Sequence, residues 1–238
     1  MRKEFVFLFA LFLGISGFLL GQDEKTAVEI GAYASKQNWK ARTLQIGPPQ
    51  ASTPFNLGFA YSDKAAWGIR ANFLSQGHWA GELSYSYQKN TITLSRPSFT
   101  PVALAGGIHQ FFYNEVFYPA RYGGRVTPFV TAGLGLAAYQ LSDEAVERAA
   151  DPRVYGIGTL KSTDKRFIFN YGGGVKANIV SHFGIRADFR HIFSDVPSYG
   201  LPKQSLNPAQ VVLPIGGKLQ TYEFSGGIYF RALLESFR

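Results

Sequence analysis

The most constraining feature of this sequence is a two-residue alternation of apolar and polar side chains, which recurs in segments from Val28 onward. The segments are about ten residues long, the length at which a tilted strand crosses a bilayer. In one of them, 185–190, Ile, Ala and Phe alternate with Arg, Asp and Arg. Successive side chains of a strand point to opposite faces, so the pattern predicts strands with one apolar and one charged face.

The alternation predicts eight strands, which lie near 27–35, 65–74, 79–88, 102–118, 126–140, 166–178, 182–193 and 219–231. The connections are long at 36–64, 89–101, 141–165 and 194–218, and short at 75–78, 119–125 and 179–181. This regular exchange of long and short connections is typical of membrane barrels. The predicted fold is all-β: an eight-stranded antiparallel up-and-down transmembrane β-barrel with four long outer loops and short periplasmic turns.

A soluble lipocalin-like barrel or a β-sandwich is the alternative, with the apolar face turned inward. Alternation alone does not decide which face is inside, but the loop asymmetry and two aromatic girdles favour the membrane barrel. The girdle predicted on the short-turn side contains Phe73, Trp79, Phe117, Tyr118, Phe183 and Phe230. The girdle predicted on the long-loop side contains Trp67, Tyr87, Tyr139, Phe167, Phe193 and Tyr222.

The N-terminus reads as a secretory signal, because the basic Arg2 and Lys3 precede the uncharged run 5–20. We therefore predict a signal peptide at 1–21 and an outer-membrane β-barrel domain at 22–238. Leu19 is bulky where signal peptidases prefer a small residue, so an uncleaved anchor helix remains the alternative. Within the third long loop, residues 143–150 are predicted to form one or two helical turns with Asp143 as the cap.

The charge distribution argues against a nucleic-acid partner. The chain has a net charge of +8, but its basic residues form no run or stripe. The chain has no Cys, and its four His residues occur singly, which predicts neither a metal site nor a cofactor.

The charged faces of the strands predict a polar lumen with five cations and four anions. These are Glu29, Arg70, Glu82, Lys176, Arg186, Asp188, Arg190, Glu223 and Arg231. Buried charges need partners, and eight strands enclose only enough space for side chains, so we predict a salt-bridged structural plug. A polar pathway for protons, ions or a small solute is the alternative.

Two further groups of residues suggest function. His191, Ser194 and Asp195 lie near the end of one strand and raise the alternative of a lipid-modifying enzyme, such as a lipid A hydrolase or acyltransferase. Against it, residues three apart in a strand point to opposite faces, so no catalytic residue is assigned. Lys165 and Arg166, at the predicted outer rim, are candidate contacts for lipopolysaccharide phosphates.

The sequence resembles the small outer-membrane β-barrel proteins of the OmpA/OmpX type over residues 24–232. The resemblance rests on the hairpin segments 67–73 and 81–87, on 128–135 and on the final strand segment 224–230. It implies a bacterial outer-membrane location, with periplasmic chaperones and the outer-membrane assembly machinery as partners. Fold does not fix the role. We predict a non-enzymatic structural or surface-interaction role through the outer loops, with a lipid-modifying enzyme or a narrow channel for small or apolar solutes as alternatives.

Overall fold

The computed structural model describes residues 26–40, 42–46, 55–74, 77–95, 100–120, 124–151, 160–200 and 218–234. Ten strands and one helix are defined there. The strands are β1 Thr26–Trp39, β2 Arg42–Ile46, β3 Phe55–Tyr61, β4 Ala65–Leu74, β5 Trp79–Ser95, β6 Val102–Phe117, β7 Val126–Leu141, β8 Thr163–Asn178, β9 Phe183–Asp195 and β10 Lys218–Leu234. The helix, α1, spans Asp143–Ala150. The signal-peptide prediction for 1–21 falls outside the described residues and stays a prediction.

Eight of the strands close into an antiparallel barrel. Around the ring, the order is β1, β4, β5, β6, β7, β8, β9 and β10, and β10 pairs with β1 from Thr26 opposite Leu234 to Trp39 opposite Thr221. The predicted eight-stranded barrel is therefore confirmed, and each predicted strand overlaps one strand of the ring.

The register around the ring fixes the stagger of the barrel. Directly paired residues lead from β1 through every strand and back to β1. They are Glu29, Asn72, Glu82, Asn114, Gly133, Asn170, Ile192, Thr221 and Trp39. The circuit starts at residue 29 and ends at residue 39, which is a shear of ten residues for eight strands. A barrel of this size is filled by its own side chains.

Side-chain exposure distinguishes the membrane barrel from its soluble alternative. Large apolar residues point outward, and Ile30 and Ile228 are 63% and 64% exposed. Charged residues point inward, and Glu29 and Glu82 are 0% exposed. A soluble barrel would place these two sets the other way round, because water solvates charges and expels apolar surface. The outward apolar face is the one that a lipid bilayer covers.

The outer end of the barrel carries more secondary structure than the sequence predicts. Strands β2 and β3 form a hairpin inside the predicted loop 36–64, and β3 pairs with the end of β5. The treatment of 36–64 as a plain loop was therefore wrong, because its backbone extends the sheet beyond the barrel edge by pairing with β5. The helix α1 is confirmed, but its N-cap is Ser142 and not Asp143, since the Ser142 hydroxyl accepts the Ala145 N–H.

Apolar side chains fill both ends of the lumen. The inner-end cluster consists of Ala27, Leu74, Ala80, Val116, Tyr118 and Phe129. The outer-end cluster is larger and includes Trp39, Tyr61, Ile108, Tyr139, Ile168 and Ile192. Among the described residues, no helix is long and apolar enough to cross a membrane.

Two residues assigned to the aromatic girdles lie inside the barrel instead. Tyr118 and Tyr139 are each 1% exposed; Tyr118 directly follows β6 and Tyr139 lies in β7, and both positions have the inward parity of these strands. The Tyr118 hydroxyl accepts a hydrogen bond of 2.7 Å from Lys176 Nζ, which compensates the burial of both groups. Residue type alone suggested the girdle, whereas strand parity determines the side.

Candidate functional site

The middle of the lumen is occupied by three arginines and two carboxylates from three strands. Arg186 Nη1 lies 2.6 Å from Glu82 Oε2, and Arg190 Nη2 lies 2.7 Å from Glu82 Oε1. Arg186 Nε and Arg70 Nη1 lie 2.7 Å and 2.5 Å from Asp188 Oδ2. All five residues are buried. We call this set the central charge layer.

Neutral polar groups complete the central charge layer. Asn114 Nδ2 donates to Glu82 Oε1 at 2.9 Å, and Asn170 Nδ2 donates to Asn114 Oδ1 at 2.7 Å. The Ser225 hydroxyl donates a short hydrogen bond to Asp188. The layer thus receives side chains from strands on all sides of the barrel, so it extends across the lumen.

A second charge layer lies nearer the short-turn end. Lys176 Nζ lies 2.6 Å from Glu29 Oε2, and Arg231 Nη2 lies 3.0 Å from Glu29 Oε1. Arg231 also donates to Asn178 Oδ1 at 2.7 Å. Glu29 and Lys176 are fully enclosed, whereas the Arg231 side chain is 13% exposed at the mouth. Strands β1, β8 and β10 are joined by this layer.

The outer side of the central charge layer is polar but contains amides and hydroxyls instead of cations. Gln37 Nε2 donates to Glu223 Oε2 at 2.6 Å and to Gln110 Oε1 at 2.9 Å. The Ser35 hydroxyl donates to the same Glu223 oxygen at 3.2 Å. Beyond this level, the outer-end apolar cluster fills the lumen. Charge, amide and apolar layers therefore follow one another along the barrel axis.

Gly68 leaves space for the ring of Tyr33, against which the charged side chain of Arg70 packs. A Cβ at the inward-facing Gly68 would lie 2.5 Å from the Tyr33 ring. The same Tyr33 ring receives the Arg70 guanidinium on its face, at 3.9 Å from the ring centre. Tyr33, Arg70 and Arg186 also line a cavity with room for about one water molecule.

Comparison with known proteins places this architecture in a family. A sequence model described as the outer membrane protein beta-barrel domain matches residues 5–227. The chain belongs to this family. It is a bacterial outer-membrane protein, and the predicted location is confirmed. No curated protein matches the sequence.

Solved outer-membrane barrels share the fold at low sequence identity. The outer membrane protein OprG from Pseudomonas aeruginosa is 11% identical, with a TM-score of 0.56 over 89% of this chain and 98% of that chain. Neisserial surface protein A is 12% identical, with a TM-score of 0.48 over 86% of this chain and 96% of that chain. At 11% identity, the similarity to OprG establishes the shared fold and nothing about activity.

The outer-membrane barrel places all nine predicted lumen residues on the inward face. Eight are buried, and Arg231 is partly exposed. The sequence missed the amides that complete the network, notably Gln37, Asn114 and Asn170. Their inward strand parity was the available signal, since a buried amide needs partners as a buried charge does.

The residues of the enzyme alternative do not meet. His191 lies on the outward face, where its Nδ1 pairs with the Tyr171 hydroxyl at 3.1 Å and its ring stacks on Tyr222. Ser194 is buried on the inward face, and its hydroxyl donates to the Asp195 carbonyl oxygen. Opposite faces of one strand separate the base from the hydroxyl.

The two predicted lipopolysaccharide contacts have different environments. Lys165 is exposed on the outward face of β8. Arg166 is half-buried on the opposite face, with Nη2 2.6 Å from Asp164 Oδ2 and 2.8 Å from Ser198 Oγ. In the described part of the chain, no group of three His, Cys, Asp or Glu residues could hold a metal ion.

Residues 196–200, which we call the strap, cross the outer end of the lumen. Asp164 Oδ2 accepts the backbone N–H groups of Ser198 and Tyr199, each at 2.7 Å. Tyr199, which has a positive φ of 48°, is thereby held in the outer-end cluster, and its hydroxyl lies 3.3 Å from that of Tyr61. Burial raises the pKa of both hydroxyls above the ordinary range. Both hydroxyls therefore stay protonated and uncharged at the outer mouth of the barrel.

Proposed function

We propose that this protein is a closed outer-membrane barrel that acts through its outer end, not through an open pore. The observation that carries the proposal is the central charge layer, in which Arg186 joins Glu82 on β5 to Asp188 on β9. Charges removed from water need partners, and side chains paired across the lumen occupy the space that an open column of water would need. The layer therefore acts as a plug.

The two apolar clusters strengthen the argument for a closed lumen. Each end of the charged interior is covered by packed apolar side chains, with Tyr118 at the inner end and Tyr139 at the outer end. An ion entering from either side would first lose its hydration shell against apolar surface, which costs several kcal/mol. The barrel interior is thus organised for stability instead of conduction.

The outer end holds the elements suited to interaction. The β2–β3 hairpin, helix α1 and the strap at 196–200 all extend from that end. On the other side, β8 and β9 are joined by only four residues, 179–182. Function in scaffolded proteins concentrates on such connections, because they vary without disturbing the barrel. A structural or surface-interaction role follows, and the outward His191 and inward Ser194 argue against an enzyme.

Single-channel recording tests the closed lumen. The full chain, folded into planar bilayers in potassium chloride, should give no steady unitary current. The variant Glu82→Ala/Arg186→Ala/Tyr118→Ala/Tyr139→Ala removes the bridge as a neutral pair together with a large ring from each apolar cluster, and it should admit ions. Glu115→Ala, on the outward face of β6, should not. Steady ohmic steps from the wild-type barrel would refute the proposal. Heat-dependent migration in gels verifies that each variant is folded.

A narrow site for small apolar solutes is the second candidate, and the outer-end cluster favours it. The ring centre of Trp39 lies 4.9 Å from that of Tyr61 and 6.5 Å from that of Tyr139. An apolar solute at this end would therefore contact aromatic surface. The charge layers below would stop such a guest from passing straight through. With Trp67 and Trp79 replaced by Phe, saturable quenching of Trp39 by 1-bromododecane would support this candidate. Quenching that never saturates would eliminate it.

We also propose lipopolysaccharide and the outer-membrane assembly machinery as partners. Lys165 is available for a lipopolysaccharide phosphate, whereas Arg166 would first have to leave Asp164. Membership of the family supports insertion by the outer-membrane assembly machinery after transit with periplasmic chaperones. Depletion of that machinery should leave the heat-modifiable folded form undetectable in outer membranes.

A further inference from the structure

Four lysines share the outer edge of one half of the barrel. Lys36 is on the outward face of β1, and Lys40, which directly follows β1, continues the same alternation. Lys64 immediately precedes β4, and Lys89 is on the outward face of β5. All four are exposed. We call them the lysine collar. They lie on neighbouring strands, because β4 pairs with β1 on one side and with β5 on the other.

In the half of the barrel that carries the collar, cations outnumber carboxylates on the described outward surface. Among the described outward-facing residues of β10, β1, β4 and β5, there is no carboxylate. Asp63, beside Lys64, instead accepts the Trp39 backbone N–H at 2.8 Å. The other half differs, because Glu115 on β6 and Asp195 on β9 both have outward parity. The outward surface of the collar strands therefore carries cations without carboxylates, whereas the other half carries both signs.

Aromatic rings place the collar at the level where lipid headgroups begin. Lys40 Nζ lies 5.0 Å from the centre of the Tyr222 ring, and Trp67 and Tyr87 lie on β4 and β5 below the other lysines. Tyr and Trp prefer the membrane interface, where one edge is wet and the other apolar. Lysines next to such rings extend toward headgroups while their stems stay on apolar surface.

Below Lys36, the outward surface is apolar and has room for a chain. Lys36 is paired with Phe224, and the next outward residue toward the inner end is Ala34, opposite Gly226 on β10 and Trp67 on β4. A Cβ at Gly226 would meet nothing within 4 Å. A lipid with a phosphorylated headgroup would place its phosphate at the lysines and its acyl chain on this apolar surface. A soluble polyanion would match the lysines but not the apolar face.

We propose that the lysine collar binds the phosphorylated headgroup of an outer-leaflet glycolipid, with an acyl chain lying along β1. Ammonium groups bind phosphates through charge-assisted hydrogen bonds, and each lysine adds to the affinity for an anionic lipid surface. The inference concerns residues other than Lys165 and Arg166. It depends on the outer-membrane location but not on a closed lumen, so a conducting barrel would leave it intact.

Native mass spectrometry of the folded full chain tests the collar with diphosphoryl lipid A as the probe. The wild type should retain the lipid, and Lys36→Gln/Lys40→Gln/Lys89→Gln should retain it about tenfold less strongly. The matched control Arg125→Gln/Arg148→Gln/Lys161→Gln removes three exposed cations elsewhere and should bind as the wild type does. Equal retention by the collar variant, or equal loss in the control, would overturn the proposal.

Two further arms use the wild type alone, so they do not depend on the folding of any variant. The wild type should retain lipid A without its phosphates less strongly than diphosphoryl lipid A, and inorganic phosphate should not compete with lipid A. Raising the salt from about 0.05 M to about 0.5 M should weaken lipid A binding, because exposed charges are screened. Lipid A binding that changed neither on removal of its phosphates nor on addition of salt would also overturn the proposal.

Discussion

Arg186 and Glu82 are 104 residues apart in the chain, yet Nη1 of the arginine lies 2.6 Å from Oε2 of the glutamate in the middle of the barrel. Each is also held by a second partner, Asp188 for the arginine and Arg190 for the glutamate. Since the four charges alternate in sign, removing Glu82 leaves Arg186 and Arg190 beside Asp188, a carboxylate that Arg70 already contacts.

Substitution of Glu82 tests this dependence. Glu82→Gln keeps the shape of the side chain but leaves Arg186 and Arg190 short of an anion, so the free energy of unfolding should fall by about 3–5 kcal/mol. Urea unfolding of the protein in lipid vesicles, followed by tryptophan emission, measures the change. Glu115→Gln is the matched control on the outward face, and it should cost no more than about 1 kcal/mol. Similar losses in both variants would contradict the role assigned to Glu82.

The charge layer near the inner end makes a different prediction, because one pair can be removed together. Lys176→Met removes the cation that lies 2.6 Å from Glu29 Oε2 and should destabilise the barrel by about 3 kcal/mol. Adding Glu29→Gln should recover a large part of that loss, since the uncompensated carboxylate disappears. A double-mutant cycle in the same unfolding assay measures the coupling. Simple additivity of the two losses would show that the 2.6 Å pair does not contribute as described.

The strap at the outer end depends on Asp164. Asp164→Asn removes the charge that accepts the Ser198 and Tyr199 N–H groups, so both amides should exchange with solvent about tenfold faster or more. Hydrogen exchange read by mass spectrometry covers peptide 196–200. Asp143→Asn, in the first turn of α1, is the control and should leave that peptide unchanged. Unchanged protection in Asp164→Asn would mean that packing of Tyr199 alone holds the strap.

Burial of Tyr61 and Tyr199 predicts the behaviour of the outer end in alkali. The pKa of each hydroxyl is raised in the folded state, so the stabilisation is complete below pH 10 and is lost as the pH rises toward the folded value. Both rings should stay protonated at pH 11 in the folded barrel. Absorbance at 295 nm should therefore be the same at that pH for the wild type and for Tyr61→Phe/Tyr199→Phe. A smaller signal from the variant would show that the mouth is open to water.

Much of the barrel wall could be read from the sequence, because a strand repeats its environment every two residues. The alternation of Arg186, Asp188 and Arg190 with apolar neighbours identified both faces of β9 before any partner was known. Where residue type was used instead of parity, the prediction failed: Tyr118 and Tyr139 were assigned to the lipid surface and lie inside. The hairpin of β2 and β3 was also missed, since its pairing with β5 is not a local property of 36–64.

The sequence by itself determined the strands, their faces and the side of the barrel that carries the long connections, because alternation and loop length are local properties of a chain. Only the tertiary structure decided which charges pair. Closure of β10 on β1, with its shear of ten residues, brings Glu82 to Arg186 and Glu29 to Lys176, and no spacing along the chain encodes that register. The pairing of β4 with β1 and with β5 likewise brings Lys36, Lys40, Lys64 and Lys89 to one face. Pairing across a lumen is a property of the closed ring, not of any one strand.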